Sequence, residues 1–370
     1  MKKWSRLLIL VFLISALILT ACGAPEAAPV EEVAAPAEVE APAAVEALTG
    51  KICIALDSGG VDDKGYNQSA WEGGLQAADE LGWDAVYLVA NQQTDWEKNI
   101  NEFLTSDCSL IVAVGFSGGD TLKIAAEANP DQYFQLIDSV VDPLPENVWA
   151  QLYAMQEGSF LAGYLAAGMT KTGIVGGFGG MNIPPVADFF VAFQDGIDYY
   201  NTQKGTDVKL LGWSNETLDG NFVGNFSDTE GARLFTESMM DEGADIILPQ
   251  SGVEALAAAA AVKQRGGVMT IGADADQFLA DKASGDVYLT TIMKNLGLAI
   301  IEAAHQIAET GTFESGIYIA NLASGGLGLA PFHDYEDVVP AELKAELAVI
   351  EQLVIDGTIS VNNWFSLSSN

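Results

Sequence analysis

The chain has 370 residues, 49% of them hydrophobic, with 51 Asp and Glu against 16 Lys and Arg and a formal net charge of −35. That length suits two domains of moderate size, and the apolar fraction is enough to build well-packed cores. So acidic a chain has no basic stripe to neutralise phosphates, which excludes nucleic acid as a partner; the charge instead suits an exported, soluble protein.

Taken in chain order, Lys2, Lys3 and Arg6 precede an apolar run, Leu7 to Leu19, that is too short to span a membrane comfortably. This is the pattern of a secretory signal over residues 1–21. The string "LTAC" that ends it resembles a bacterial lipobox, which implies export and lipidation of Cys22, with attachment through the lipid alone to the outer face of the cell membrane, or a periplasmic location in a cell with two membranes. Residues 22–48 are rich in Ala, Pro, Glu and Val; such a segment cannot bury a core and reads as an extended tether.

From Lys51 onward, short apolar runs alternate with helical patterns. "KICIALD" is a strand, Ser69 to Leu81 a helix, "DAVYLVA" a strand, and Trp96 to Leu104 a helix. "SLIVAVG", a helix around Leu122 to Ala128, and "YFQLID" follow. The alternation restarts with helix Gly158 to Ala167, strand "GIVGGF", helix Val186 to Tyr200 and strand "VKLLGW". It continues through helix Asp228 to Met240, "ADIILP", helix Val253 to Gln264, "VMTIGAD" and "VYLTTIM". Helix Leu296 to Glu309, a Gly-rich stretch and helix Ala341 to Ile355 complete the pattern. Strands separated by single helices imply βαβ units and parallel sheets, so the fold class is α/β, in two similar halves.

Ligands of open parallel sheets bind beyond the carboxyl ends of the strands. Asp57, Phe116 and Asp274 occupy such positions, although a strand-end Asp serves equally well as a helix cap. Cys53 and Cys108 fall at the starts of strands expected to be neighbours, and form either a disulfide or two small buried hydrophobes. No P-loop is present, "GGFGGMN" lacks dinucleotide-binding spacing, and neither His305 nor His333 stands in the context of a catalytic base. Asp62 and Asp63 do not match a calcium loop. The expectation is therefore no cofactor, no metal and no enzymatic activity.

Longer strings carry more. "DSGGVDDKGYNQSAWEGG" resembles the signature of the basic membrane protein family, substrate-binding lipoproteins of ABC transporters that include purine-nucleoside receptors. "VGF" (114–116), "EGSFLAGYLA" (157–166), "GGMNIPPVADFFVAF" (179–193), "NFSDTEGARL" (225–234), "IGADADQ" (271–277) and "TTIMKN" (290–295) are similar to further family strings in the same order. The resemblance implies a periplasmic-binding-protein type I fold, with two Rossmann-like lobes joined by a three-strand hinge. Residues 49–154 with about 294–328 would form the N-terminal lobe, and 155–293 with about 329–370 the C-terminal lobe.

It further implies a nucleoside base sandwiched by Tyr66 and Phe226, with Asp57 and Asn67 hydrogen-bonding the base. Asp274, Lys294 and the backbone near Gly252 would hold the ribose, and Gln156 stands where family members carry another polar base contact. Two departures are visible: "YAMQEGS" around Gln156, and "PQSGVEALAAAA" where the family has a longer Gly-rich loop. In this reading Asp62, Asp63 and Lys64 form a structural turn that caps the next helix. The function implied is a monomeric receptor that delivers a purine nucleoside to ABC permease subunits. The alternatives are a same-fold receptor for a sugar or nucleobase, or a sensory lipoprotein signalling to a membrane partner.

Overall fold

The strands are nearly continuous apolar runs because helices cover both faces of each sheet, so that neither face needs polar residues. In the computed structural model residues 49–368 are described; the signal segment, Cys22 and the whole linking region 22–48 lie outside the described residues. The chain begins with β1 (Lys51–Leu56), α1 (Tyr66–Leu81), β2 (Asp84–Val89), α2 (Gln93–Leu104), β3 (Leu110–Val114), α3 (Gly119–Ala128), β4 (Phe134–Ile137) and β5 (Val148–Tyr153). It continues with α4 (Met155–Met169), β6 (Ile174–Gly179), α5 (Pro184–Lys204), β7 (Lys209–Leu211), a small hairpin of β8 (Trp213–Ser214) and β9 (Asp219–Gly220), α6 (Thr229–Asp241) and β10 (Ile246–Gln250). Then follow α7 (Val253–Arg265), β11 (Met269–Asp274), α8 (Gln277–Ala280), β12 (Tyr288–Lys294), α9 (Leu296–Thr310), β13 (Gly316–Ala320), β14 (Leu327–Leu329), α10 (Ala341–Ile355) and α11 (Trp364–Ser368).

Two six-stranded sheets result, in the orders β13-β5-β4-β3-β1-β2 and β14-β12-β11-β10-β6-β7. Every pairing within them is parallel except that of β14 with β12. The chain passes from one lobe to the other three times: at Ala154, at Asn295, and through residues 321–326 between β13 and β14. Helix α9 returns to pack on α1, whereas α10 and α11 pack on α4 and α5. In each sheet the strand order reverses beside the first strand of the lobe, between β1 and β3 and between β6 and β10. Those two reversals open crevices at the carboxyl ends, where the connecting loops diverge to opposite faces.

Cys53 in β1 and Cys108, just before β3, are joined in a disulfide with a Cα–Cα distance of 5.9 Å. The periodicity reading misses β5, β13 and β14 and merges two other strands. β5 carries Trp149, Gln151 and Tyr153 among its apolar residues and gives no clean run, yet its backbone completes the first sheet. β13 and β14 lie in the Gly-rich stretch, paired by partners distant in sequence. "VKLLGW" is one run in sequence but two elements in space, because Gly212 adopts φ +85° and turns Trp213 into the hairpin. Among the described residues no helix is long and apolar enough to cross a membrane.

Candidate ligand-binding site

A cavity of about 220 Å³ lies between the lobes, lined from both crevices. On the first lobe, the loop after β1 is held by a closed set of hydrogen bonds. Asp63, only 2% exposed, accepts from the backbone N–H groups of Gly65 (3.0 Å), Asn67 (2.7 Å) and Gln68 (3.0 Å) and so satisfies the orphan donors of the first turn of α1. Asn67 donates through Nδ2 to Asp57 Oδ1 (2.6 Å) and Asp63 Oδ2 (2.9 Å), and its Oδ1 accepts from the Asp57 N–H (3.1 Å). Both donor hydrogens of Asn67 are thereby committed within the protein; its amide orients Asp57, whose carboxylate faces the cavity. Burial pushes the Asp57 carboxyl up, against the lowering effect of its bonds to Asn67 and Gly59.

Tyr66, the first residue of α1, lines the cavity, and its hydroxyl donates to Asp138 Oδ2 at 3.4 Å. Asp138 follows β4 with φ +64°, a left-handed conformation that aims its side chain back across the strand ends. It receives Lys294 Nζ at 2.5 Å from the end of β12 in the other lobe. Lys294 is 2% exposed, and its ammonium also lies over the rings of Tyr153 (5.0 Å) and Tyr66 (5.3 Å). An ammonium so enclosed needs both the carboxylate and the aromatic faces to offset lost hydration. Asp274, at the end of β11, shares the left-handed geometry with φ +69°. Its Oδ1 has no hydrogen-bond partner, and burial pushes its carboxyl up to about 7 despite the nearby Lys294. Near neutral pH it can therefore both donate and accept.

The second lobe contributes its own wall. After β6, the Gly180 N–H donates to Gln250 O (3.0 Å) and the Gly224 N–H to Gly180 O (2.7 Å), which lays residues 221–226 along the strand end. A side chain at position 180 would stand 2.3 Å from the Phe226 ring, so Gly180 is the seat of that ring. Gly179 likewise admits Phe222, at 2.8 Å from a hypothetical Cβ. The second glycine pair of "GGFGGMN", Gly179 and Gly180, serves the approach of two aromatic rings. Gln250, which ends β10, lines the cavity with Ser251 and Gly252, as does Phe116, 47% exposed.

Of the residues singled out from sequence, Asp57, Tyr66, Asn67, Phe116, Phe226, Gly252, Asp274 and Lys294 are brought together around this one cavity. Gln156 is not: on the first turn of α4, it is absent from the lining, and the acid beside it, Glu157, is turned away to accept from the Leu322 N–H (2.8 Å). Lys294 is paired with Asp138 rather than with Asp274. Asp138 itself escaped notice in the sequence, although it ends a strand just as Asp57 and Asp274 do. His305 pairs with Glu80 at 2.9 Å and His333 with Asp276 at 2.8 Å, and neither lines the cavity. Among the described residues no cluster of His, Cys, Asp and Glu is arranged to hold a metal ion.

Comparison with known proteins places this architecture. A family model described as "ABC transporter substrate-binding protein PnrA-like" matches residues 51–364. Basic membrane protein A of Borreliella burgdorferi is 29% identical over 317 residues, spanning 84% of this chain and 87% of that protein. The ABC transporter nucleoside-binding protein BmpA of Lactococcus lactis is 29% identical over 329 residues, spanning 84% and 88%. An uncharacterized lipoprotein of Pyrococcus abyssi is 28% identical over 325 residues, spanning 84% and 76%. Among solved structures, an ABC transporter solute-binding protein from Aeropyrum pernix K1 superposes with a TM-score of 0.77 at 24% identity, over 86% of this chain and 96% of that one. A second, from Conexibacter woesei, gives 0.65 at 23% identity, over 85% and 99%. The chain belongs to the PnrA-like family of ABC transporter substrate-binding proteins, which capture a solute for transport and catalyse no reaction on it.

Proposed function

We propose that the solute is a purine nucleoside. The observation that carries this reading is the composition of the cavity, which sets aromatic faces from both lobes beside a buried carboxylate with an unpartnered oxygen. Tyr66 and Phe226 would take the flat base between them, a contact that tolerates different bases because each has a π face. Asp57, held by Asn67, accepts from ring N–H or exocyclic amino groups at the base edge. Asp274 accepts from the vicinal hydroxyls of the ribose, and Lys294 donates to the same diol. The Lactococcus lactis relative, named a nucleoside-binding protein, supports the ligand class. Cys22 would carry the lipid and residues 22–48 the tether that lets the receptor reach its permease, in keeping with the lipoprotein named in Pyrococcus abyssi.

Thermal melting and calorimetry with inosine, guanosine and adenosine test the reading. At a concentration about 100 times Kd, a ligand selective for the native state adds about 2.7 kcal/mol of stability. Failure of all three nucleosides, with a free sugar binding instead, would refute it.

A further inference from the structure

The aromatic wall at Phe226 is not built on regular secondary structure, so something must hold residues 225–228 in place. Part of the support is local: Asn225 Oδ1 accepts from the N–H groups of Ser227 (2.8 Å) and Asp228 (2.8 Å) and from the Ser227 hydroxyl (3.1 Å). The rest comes from a distant side chain. Glu254 Oε1 accepts from the same Asp228 N–H at 2.8 Å, from 26 residues away. Glu254 stands on the first turn of α7, two residues beyond Gly252, and is fully buried. A glutamate placed only to complement a helix dipole belongs in solvent, where its charge is hydrated. This one is enclosed between the starts of α6 and α7, with Asp228 as the charged group that faces it.

We infer that Glu254 is a positioning residue: its carboxyl couples the Gln250–Gly252 edge of the cavity to the Phe226 loop and sets the height of the ring over Gly180. This rests on the reading that Phe226 stacks on the ligand. Burial pushes the carboxyl up to about 7, chiefly by desolvation, with the Asp228 charge adding and the backbone N–H bonds opposing. At neutral pH a substantial fraction is uncharged, so an amide of the same shape can replace it as acceptor. Rescue by glutamine therefore separates a positioning role from one that needs the charge.

The test uses Glu254→Ala, Glu254→Leu and Glu254→Gln in the full chain. Two readouts are taken: hydrogen exchange over residues 221–231 without ligand, and inosine affinity by calorimetry. Glu254→Ala and Glu254→Leu are expected to speed exchange by about tenfold and weaken inosine by about tenfold, the scale of one lost hydrogen bond to a buried partner. Glu254→Gln is expected to restore both to within about twofold of wild type. In a Phe226→Ala background, Glu254→Ala is expected to weaken inosine no further, because the wall it positions is already gone. If Glu254→Ala fails to fold, Glu254→Leu, which fills the space, carries the test. Unchanged exchange and affinity in Ala and Leu, a Gln variant as impaired as Ala, or additive losses with Phe226→Ala would each overturn the inference. Fast exchange in Ala and Leu with recovery in Gln, in a protein that binds none of the three nucleosides, would support the positioning and sink the nucleoside reading instead.

Discussion

Among the described residues Lys294 is the only cation lining the cavity, against Asp57, Asp63, Asp138 and Asp274. Replacing it with methionine keeps most of the stem's volume and removes the ammonium. Asp138 then keeps a buried charge whose remaining direct contact is the Tyr66 hydroxyl at 3.4 Å. Breaking a buried pair from one side costs about 3–5 kcal/mol. With an unfolding entropy of about 2.1 cal/mol/K per residue over about 320 residues, that corresponds to a fall in Tm of about 4–8 °C. Urea unfolding should show a lower midpoint with the same slope. The partner change is Asp138→Asn, because asparagine tolerates the left-handed φ of +64°. Lys294→Met with Asp138→Asn should recover most of the loss, since no unpaired charge is left. A single Lys294→Met that costs less than about 1 kcal/mol, or a double variant as unstable as the sum of its parts, would show that the charge is compensated elsewhere and refute the argument.

Gly180→Ala should displace Phe226, whose ring lies 2.3 Å from the new Cβ, and the Asn225 carbonyl at 2.7 Å, weakening nucleoside binding by about tenfold or more and lowering the Tm, as calorimetry and melting would show. Asp274, Glu254 and Asp188 hold protons in the folded state that the unfolded chain releases, with carboxyls pushed up to about 7, about 7 and about 6. Their contribution to stability is therefore fully present below about pH 4 and is lost as pH rises through 6 to 7. Urea midpoints for the ligand-free protein should fall over that window, and Asp274→Asn should flatten the profile. Cys53→Ala with Cys108→Ala opens a loop closed over 55 residues, and the chain-entropy argument puts the cost near 4 kcal/mol, measurable as a drop in urea midpoint matched by reducing the wild type.

The sequence made legible what local chemistry writes. Parallel strands such as Lys51–Leu56 and Leu110–Val114 are buried on both faces and read as apolar runs, and strand-end acids flag the edge where ligands bind. The role of Asp63 was also visible, because a cap is judged by its distance from the helix it starts. Pairing across long separations was not. Gly316–Ala320 becomes a strand because Val148–Tyr153 offers it an edge, and no residue within the segment announces that partner. The same limit hid Asp138, whose meaning depends on Lys294 156 residues later, and Glu254, whose partner amide belongs to another helix. Gln156 shows the opposite limit: a polar residue at a plausible offset that, on the first turn of α4, is not among the residues lining the cavity.

The three passages between lobes also set a timetable. The first sheet lacks its edge strand until Gly316–Ala320 has been synthesised, and the second lacks Leu327–Leu329, so neither lobe can be completed from the half of the chain that dominates it. The Cys53–Cys108 link, by contrast, joins residues that both emerge early. Contacts of such long sequence separation must wait for loop closure, which slows folding. A chain built in this order cannot complete either lobe by itself during synthesis: both sheets wait for strands from residues 316–329.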